Sequence, residues 1–190
     1  MTKKNTLQDI MDIGLSLIQE RGYNGFSYAD ISEAIGIRKA SIHYHFATKN
    51  DLAQAILNRY QKDFSENLNA INTKFQKPLE KIKAYFALYR ATLESNSKLC
   101  LCSMMAAEIH SFPSEIRQQI NSFFENNANW LDPILEEGKN NGEFRFSNRT
   151  NDQAKILVAF VQGAQLLAKS TGEIDYYDLL VRNYIKDLKQ

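Results

Sequence analysis

The stretch that decides the fold is Gly22–Leu52, GYNGFSYADISEAIGIRKASIHYHFATKNDL. Within it, Ser27 with Asp30 three residues later forms a variant of the capping box, which predicts the start of a short helix. Gly36 predicts where that helix ends, and a second short helix is predicted from about Lys39 to Phe46. Two short helices that meet at a tight glycine turn have the layout of a helix-turn-helix, whose second helix enters the DNA major groove.

The second short helix holds two of the three histidines, His43 and His45, on either side of Tyr44. A metal site, a catalytic base, a DNA-reading surface and plain packing are the alternatives. Residues i and i+2 of a helix point about 200° apart, so these histidines cannot bind one metal ion together and no metal is expected. A catalytic base needs a pocket, for which a compact three-helix unit has little room. Imidazole, phenol and ammonium groups all donate to phosphate oxygens, which favours DNA contact.

The rest of the chain is predicted to be helical, because no sustained apolar alternation of period two occurs. We expect an all-α fold of about nine helices: an N-terminal three-helix helix-turn-helix domain, followed by a helical bundle. The predicted helices after the second short one are Lys49–Phe75, one opened by Pro78, one over LCLCSMMAAEIH, one from Pro113 to the NNGEF segment, Asp152–Ala168 and Tyr176–Leu188.

Composition sets the broad class of protein. The 190 residues are 44% hydrophobic and 24% charged, which is ordinary for a globular protein with a core. No run of eighteen apolar residues predicts a membrane span, and the first residues lack the apolar stretch of a signal peptide. Cys100 and Cys102 are too few and too close for a disulfide framework, so a reducing cytoplasm is expected. The net charge of +1 argues neither for nor against nucleic acid.

The sequence also argues against enzymes. It shows no Gly-rich phosphate loop, no paired metal ligands and no nucleophile elbow. We therefore expect no catalytic residues and no cofactor. A helical enzyme, or an adaptor of the same fold that does not bind DNA, remains the alternative to a DNA-binding protein.

The quoted stretch resembles the DNA-binding domain of the TetR family of bacterial transcription regulators. The resemblance covers about fifty residues and rests on the following residues: Gly22, Ser27, Ile31, Gly36, Tyr44, His45, Phe46, Lys49 and Leu52. The sequence departs from the family at His43, where tyrosine is common, and at Ser32, where alanine is common. Both residues keep the geometry, and His43 could change which phosphate or base is touched.

The resemblance and the helix positions together imply the DNA contacts. Residues at the start of the second helix approach base edges, and those at its end and at neighbouring helix starts reach phosphates. Ile42 and Phe46 are expected to face the core. The candidate DNA-binding residues are Ser27, Tyr28, Arg38, Lys39, Ala40, Ser41, His43, Tyr44, His45 and Lys49.

The resemblance further implies a DNA-binding domain over residues 1–50 and an effector-binding and dimerisation domain over residues 51–190. Aromatic-rich helices are expected to line a ligand pocket, with candidates Phe86, Tyr89, Cys100, Met104, Glu108, Phe124 and Trp130. The last two helices are expected to form the homodimer surface, at Leu157, Phe160, Val161, Gly163, Ala164, Leu167, Tyr177, Val181 and Tyr184. The implied function is a cytoplasmic, homodimeric repressor that a small-molecule effector releases from its double-stranded DNA operator.

The two cysteines carry a separate hypothesis. Two positions apart on a helix, their side chains point to opposite sides, so a mutual disulfide is not expected. One thiol is predicted to face the pocket and the other to face outward. The segment LCLCSMMAAE resembles one in TetR-family regulators that sense electrophiles and oxidants, and Cys100 is the matching position. The alternative is that both cysteines are small buried hydrophobic residues.

Overall fold

Helix boundaries in the computed structural model follow the predicted caps and breaks closely. The structure describes residues 6–95 and 97–189, and this part of the chain holds nine α-helices and no β-strand, which confirms the all-α prediction. The helices are α1 Thr6–Arg21, α2 Tyr28–Ile35, α3 Lys39–His45, α4 Lys49–Lys74, α5 Pro78–Glu94, α6 Leu101–Ala107, α7 Ser114–Asn140, α8 Thr150–Thr171 and α9 Ile174–Leu188, with a 3₁₀ turn Ile109–Ser111 after α6.

The capping box of α2 is formed in full. Ser27 Oγ accepts a hydrogen bond from the Ala29 amide at 3.2 Å, and Asp30 Oδ2 accepts from the Ser27 amide at 2.8 Å. The hydrogen bonds from Ser27 lower the pKa of the Asp30 carboxyl, as expected for a carboxylate held by donors at a helix start. Gly36 ends the helix in the left-handed region, at φ +75°, where a side chain would be strained.

The chain divides into two compact units. Unit 1 consists of the described residues up to Asp63 together with Leu101–Ile120, and unit 2 of Phe64–Cys100 with the described residues from Asn121 onward. Unit 1 therefore holds α1 to α3, the first part of α4, α6 and the start of α7. The predicted functional division at residue 50 stays a prediction.

Each unit has its own core. In unit 1, α1 to α4 bury apolar side chains that are fully excluded from solvent: Ile10, Ile18, Ile31, Ile42, Leu52, Ile56 and Leu57. In unit 2, the core is aromatic, and its rings pack edge to face, as Phe64 does against Tyr89 and Phe123. Such aromatic pairs add to the stabilisation that burial alone provides.

Unit 2 is closely packed at Gly138, in the last turn of α7. A β-carbon at this position would lie 2.1 Å from Cδ2 of Phe144, whose ring is buried. The Phe144 amide also donates to the Gly138 carbonyl at 2.9 Å. Glycine is therefore required here by the close approach of the ring, although alanine is the better helix former by about 1 kcal/mol.

Gly138→Ala is expected to lower the free energy of unfolding by about 1–3 kcal/mol, because the Phe144 ring must leave its packed position. Urea denaturation measures the change. The control is Glu136→Ala in the same helix, whose side chain is exposed and whose loss should stay within about 0.5 kcal/mol. A Gly138→Ala variant as stable as the control would show that the ring does not occupy this site.

Candidate DNA-binding surface and effector groove

Helix α3 presents a continuous exposed face. Ile42 and Phe46 are buried and fix the helix against the core, as the sequence predicts. The remaining residues of this segment are all exposed, and Tyr44 is 86% exposed, which is unusual for a large aromatic side chain. Seven of the predicted DNA-binding residues are exposed in this segment, namely Arg38, Lys39, Ala40, Ser41, His43, Tyr44 and His45. Five of them, Arg38, Ala40, Ser41, Tyr44 and His45, line one shallow depression.

The turn before α3 and the ring of His43 are held by specific contacts. Ser32 Oγ donates to the Ile37 carbonyl at 2.6 Å, which fixes the α2–α3 turn. The His43 ring packs edge-on against Tyr28, with centroids 4.9 Å apart, and its Nδ1 lies 3.3 Å from the Ala47 carbonyl oxygen. A carbonyl partner places the proton on Nδ1, so the Nε2 of a neutral His43 is free to accept from a base donor.

Tyr28 has an anchoring role that the sequence did not predict. Its side chain is buried, and its hydroxyl donates to the carbonyl oxygens of Thr48 at 2.6 Å and Phe46 at 3.1 Å. Burial raises the pKa of Tyr28 to about 12, so the hydroxyl remains a donor at neutral pH. The prediction that this side chain contacts DNA is therefore wrong. The phenol is buried inside unit 1, where it holds the turn between α3 and α4.

Lys49 is held in a cage of carbonyls and rings at the start of α4. Its Nζ donates to the carbonyl oxygens of Tyr23 and Phe26. It also lies 4.4 Å and 4.1 Å from the centroids of the same two rings, which is cation–π geometry. Partial burial lowers the pKa of Lys49, whereas the charges of Glu108 and Asp30 oppose that change. An ammonium has three donors, so the two carbonyl bonds leave one for a phosphate.

Lys49→Ala is expected to have two effects. The free energy of unfolding should fall by about 1–3 kcal/mol, because hydrogen bonds to a charged donor are lost. If the third donor contacts a phosphate, affinity for specific and random DNA should fall alike, and the salt slope should fall by about one per half-site. Urea denaturation and binding titrations at several salt concentrations measure these effects. If the dependence of affinity on salt is unchanged, Lys49 does not contact a phosphate and has a structural role alone.

Ser27 is the last of the predicted DNA contacts. It is exposed, but its hydroxyl already takes part in the N-cap of α2. Its hydroxyl donates to Asp30 Oδ2 at 2.8 Å. A phosphate contact of Ser27 stays a prediction, and it would have to be shared with the cap.

Glu108 joins distant segments of unit 1. Its Oε2 accepts from the Asn24 amide at 3.1 Å, and Asn24 Nδ2 donates to Ser111 Oγ at 2.8 Å. The neighbouring Tyr23 and Phe112 rings lie 4.5 Å apart. The carboxylate of Glu108 thus binds the loop between α1 and α2, and its predicted pocket role stays a prediction.

A groove between α7 and α8 is the best candidate ligand site in the described part of unit 2. It has a volume of about 610 Å³, within the range of small-molecule sites. Its walls carry both polar and apolar residues. The lining residues are Phe124, Glu125, Ala128 and Asn129 from α7, and Asn151, Lys155, Val158, Ala159 and Gln162 from α8.

Of the predicted pocket residues, only Phe124 lines this groove. Phe86, Tyr89 and Cys100 are buried, and Trp130 stacks on Tyr85 with centroids 5.7 Å apart. Met104 and Glu108 belong to unit 1. The pocket therefore does not lie where these aromatic residues predict it. Aromatic side chains at helical spacing pack against one another in the core, because spacing alone does not distinguish the lining of a core from the lining of a cavity.

A buried polar network lies behind the groove wall. Gln162 Nε2 donates to the Tyr89 hydroxyl at 3.2 Å, and the hydroxyls of Tyr89 and Tyr85 reach Asn127 Oδ1 at 3.3 Å and 3.0 Å. Burial raises the pKa of Tyr85, so its hydroxyl stays neutral. Gln165 donates to the Tyr89 carbonyl at 2.8 Å and accepts from the amide of Cys100, the residue before α6.

Both cysteines are fully buried. The prediction that one thiol faces outward is therefore wrong. Cys100 also precedes α6 instead of lying in its first turn, so the helix dipole acts on it less directly than expected. Burial of both thiols favours the small-hydrophobe alternative over a reactive sensor, and the sensor role stays a prediction.

The outer face of α8 is apolar and exposed. Ile156, Leu166 and Leu167 are 45%, 57% and 46% exposed, and their spacing places them on one side of the helix with the exposed Ala159 and Gly163. On α9, Leu179 is 45% exposed. The sequence prediction had placed Leu167 and Gly163 on this surface but not Ile156, Leu166 or Leu179.

Four predicted dimer residues need correction. Leu157, Val161, Ala164 and Tyr177 are buried inside unit 2, and the Tyr177 hydroxyl donates to the Phe86 carbonyl at 2.8 Å. These side chains cannot face a partner. Three others are half-buried, Phe160, Val181 and Tyr184, and the rings of Phe160 and Tyr184 stack with centroids 4.4 Å apart.

Two family models match the chain. The model described as "Bacterial regulatory proteins, tetR family" matches residues 10–56, and "Tetracyclin repressor-like, C-terminal domain" matches residues 78–184. The exposed α3 face thus lies inside the matched DNA-binding region. The chain belongs to the TetR family and is a DNA-binding transcription regulator.

Similar proteins support the same assignment. A TetR-family regulator from Agrobacterium tumefaciens matches with a TM-score of 0.92 and 29% identity, over 98% of this chain and 99% of that chain. A TetR regulator from Legionella pneumophila matches with a TM-score of 0.86 and 34% identity, over 98% of each chain. The HTH-type transcriptional repressor DhaR of Mycobacterium sp. (strain GP1) is 25% identical over 89% of this chain and 85% of its own length. None of the described helices is long and apolar enough to span a bilayer.

Proposed function

We propose that this regulator is a homodimeric repressor that a small molecule releases from a two-fold symmetric operator. The exposed face of α3, with the basic Arg38 and Lys39 at its start and Tyr44 near its end, carries the DNA-binding part of the proposal. The similarity to the repressor DhaR supports repression over activation.

Base reading is assigned to the start of α3. Arg38 and Lys39 can donate to the O6 and N7 acceptors of guanine, and the free Nε2 of His43 can accept from an exocyclic amine. Tyr44 and His45 are assigned to flanking phosphates, which position the helix without reading sequence.

The homodimer is assigned to the outer face of α8 with the adjoining part of α9. Exposed leucines in one stripe are costly in water, and a two-fold partner presenting the same stripe would bury them. Gly163 permits a close crossing because nothing lies within 4 Å of a β-carbon built there. Two reading heads related by a two-fold axis fit an operator with two inverted half-sites.

The effector is assigned to the groove between α7 and α8. Its mixed lining suits an amphiphilic molecule: the apolar part would pack on Phe124 and Val158, and a polar or charged group would meet Lys155 or Gln162. A ligand that displaces Gln162 from the Tyr89 hydroxyl would act on the buried network. Gln165 connects that network to the residue before α6, which is a physical route for favouring one conformation over another.

A binding titration tests the proposal. The full chain is titrated into a fluorescent duplex from its own upstream region and into a shuffled duplex of equal length. We expect specific binding at least about a thousandfold tighter than random binding. An adaptor or an enzyme of this fold would bind both duplexes equally weakly, which would contradict the proposal.

A further inference from the structure

We propose that the groove between α7 and α8 binds a short linear peptide with free amino and carboxyl termini. This inference rests on the proposed function, because it names the chemical class of the effector that the groove would take. It depends on the charges of the groove lining, on their separation along the helices, and on the side-chain amides of the lining.

The lining holds one acidic and one basic side chain, Glu125 on α7 and Lys155 on α8. Both residues are exposed, and in the part of the chain that the structure describes neither of them forms an ion pair. Asp152, three residues before Lys155, is already paired with Arg149, whose Nε lies 2.8 Å from Asp152 Oδ2. The groove therefore offers a carboxylate and an ammonium group that a ligand of mixed charge can pair.

The two charges lie toward different ends of the groove. Helices α7 and α8 line the same groove and are joined by the short segment 141–149, so they run antiparallel. Glu125, early in the α7 part of the lining, is therefore closer to Gln162, the last lining residue of α8, than to Lys155. Lys155 and Gln162 are about 10 Å apart along α8, at about 1.5 Å for each helical residue. An extended chain of about three residues spans a similar distance.

The uncharged residues of the lining suit a peptide between these ends. Asn129, Asn151 and Gln162 supply side-chain amides, each of which can donate to a carbonyl oxygen and accept from an N–H. The lining also includes the apolar Phe124 and Val158, which would pack against apolar side chains of the peptide.

A ligand with a single negative charge fits this lining less well. A carboxylate with a hydrocarbon tail would pair with Lys155, but its tail would lie against Glu125 and against amides that lose water without gaining a partner. A peptide with free termini provides partners for both charges and for the amides. Its carboxylate is assigned to Lys155 and its ammonium group to Glu125.

The test is isothermal titration calorimetry of the full chain without DNA. The probes are trileucine, which carries both charges, N-acetyl-trileucine and octanoate, which carry only the negative charge, and trileucine amide, which carries only the positive charge. We expect trileucine to bind most tightly. Blocking either terminus should weaken binding by about fivefold, the upper end for loss of an ion pair between exposed groups.

Substitutions in the groove identify which residue pairs with which terminus. In Lys155→Gln, trileucine and trileucine amide should bind alike, and in Glu125→Gln, trileucine and N-acetyl-trileucine should bind alike. The matched control is Lys83→Gln/Glu136→Gln, which neutralises two exposed residues outside the groove lining. This control should keep the full differences between the probes.

No binding of trileucine at millimolar concentration would overturn the inference. Binding of octanoate or N-acetyl-trileucine as tight as that of trileucine would also overturn it, because the groove would then select an anion alone. Peptide binding that is unchanged in both groove variants would place the peptide elsewhere and have the same consequence. The duplex titration without ligand judges the proposed function separately, since specific DNA binding together with any of these results would refute the peptide assignment alone.

Discussion

Leu166→Glu/Leu167→Glu is expected to convert the proposed homodimer into a monomer of 21.8 kDa. Both leucines are about half exposed on the outer face of α8, so glutamate is tolerated in the monomer. In a dimer the same positions would bury four carboxylates without partners, at a cost of several kcal/mol for each. Sedimentation equilibrium at micromolar concentration should show twice the chain mass for the unmodified protein and a single chain for the variant.

Loss of the dimer should also remove high-affinity operator binding, because one reading head retains only half of the base and phosphate contacts. The matched control is Ala87→Glu, which adds a carboxylate at an exposed position of α5 and should leave the mass unchanged. A variant that remains a dimer would show that the partner binds another surface. A monomeric unmodified chain would refute the dimer altogether.

Arg38→Ala/Lys39→Ala is expected to abolish the preference for the operator over random DNA. Each lost bidentate base contact costs about 1–3 kcal/mol, and a dimer loses each contact twice. Both side chains are exposed at the start of α3, so thermal stability should be unchanged. Equal losses on operator and random duplexes would mean that these residues contact only phosphates.

The fold was predictable wherever a local signal fixes the backbone. The Ser27 and Asp30 capping box and the left-handed Gly36 specify α2 without reference to the rest of the chain. The exposed face of α3 was predictable for a similar reason, because the apolar Ile42 within this seven-residue helix and Phe46 directly after it are expected to point inward.

Contacts between distant segments could not be predicted in the same way. Glu108 and Asn24 are 84 positions apart, and nothing in the local sequence of either residue specifies the other. The cage around Lys49 likewise depends on backbone carbonyls, which have no sequence signature. Helix α8 is apolar on more than one side, so its pattern does not tell the buried Leu157 from the exposed Ile156. The side of the helix that faces water is decided by where α5 and α9 pack.

The central claim is that this chain reads DNA with two symmetry-related copies of α3. Selection of bound duplexes from a random-sequence pool tests it most directly, because no operator need be known in advance. We expect an enriched site made of two inverted half-sites whose centres lie on successive major grooves, about 10 base pairs or a multiple apart. We also expect this enrichment to disappear with Arg38→Ala/Lys39→Ala. A pool that shows no enriched sequence, or an enriched sequence without inverted symmetry, would contradict it.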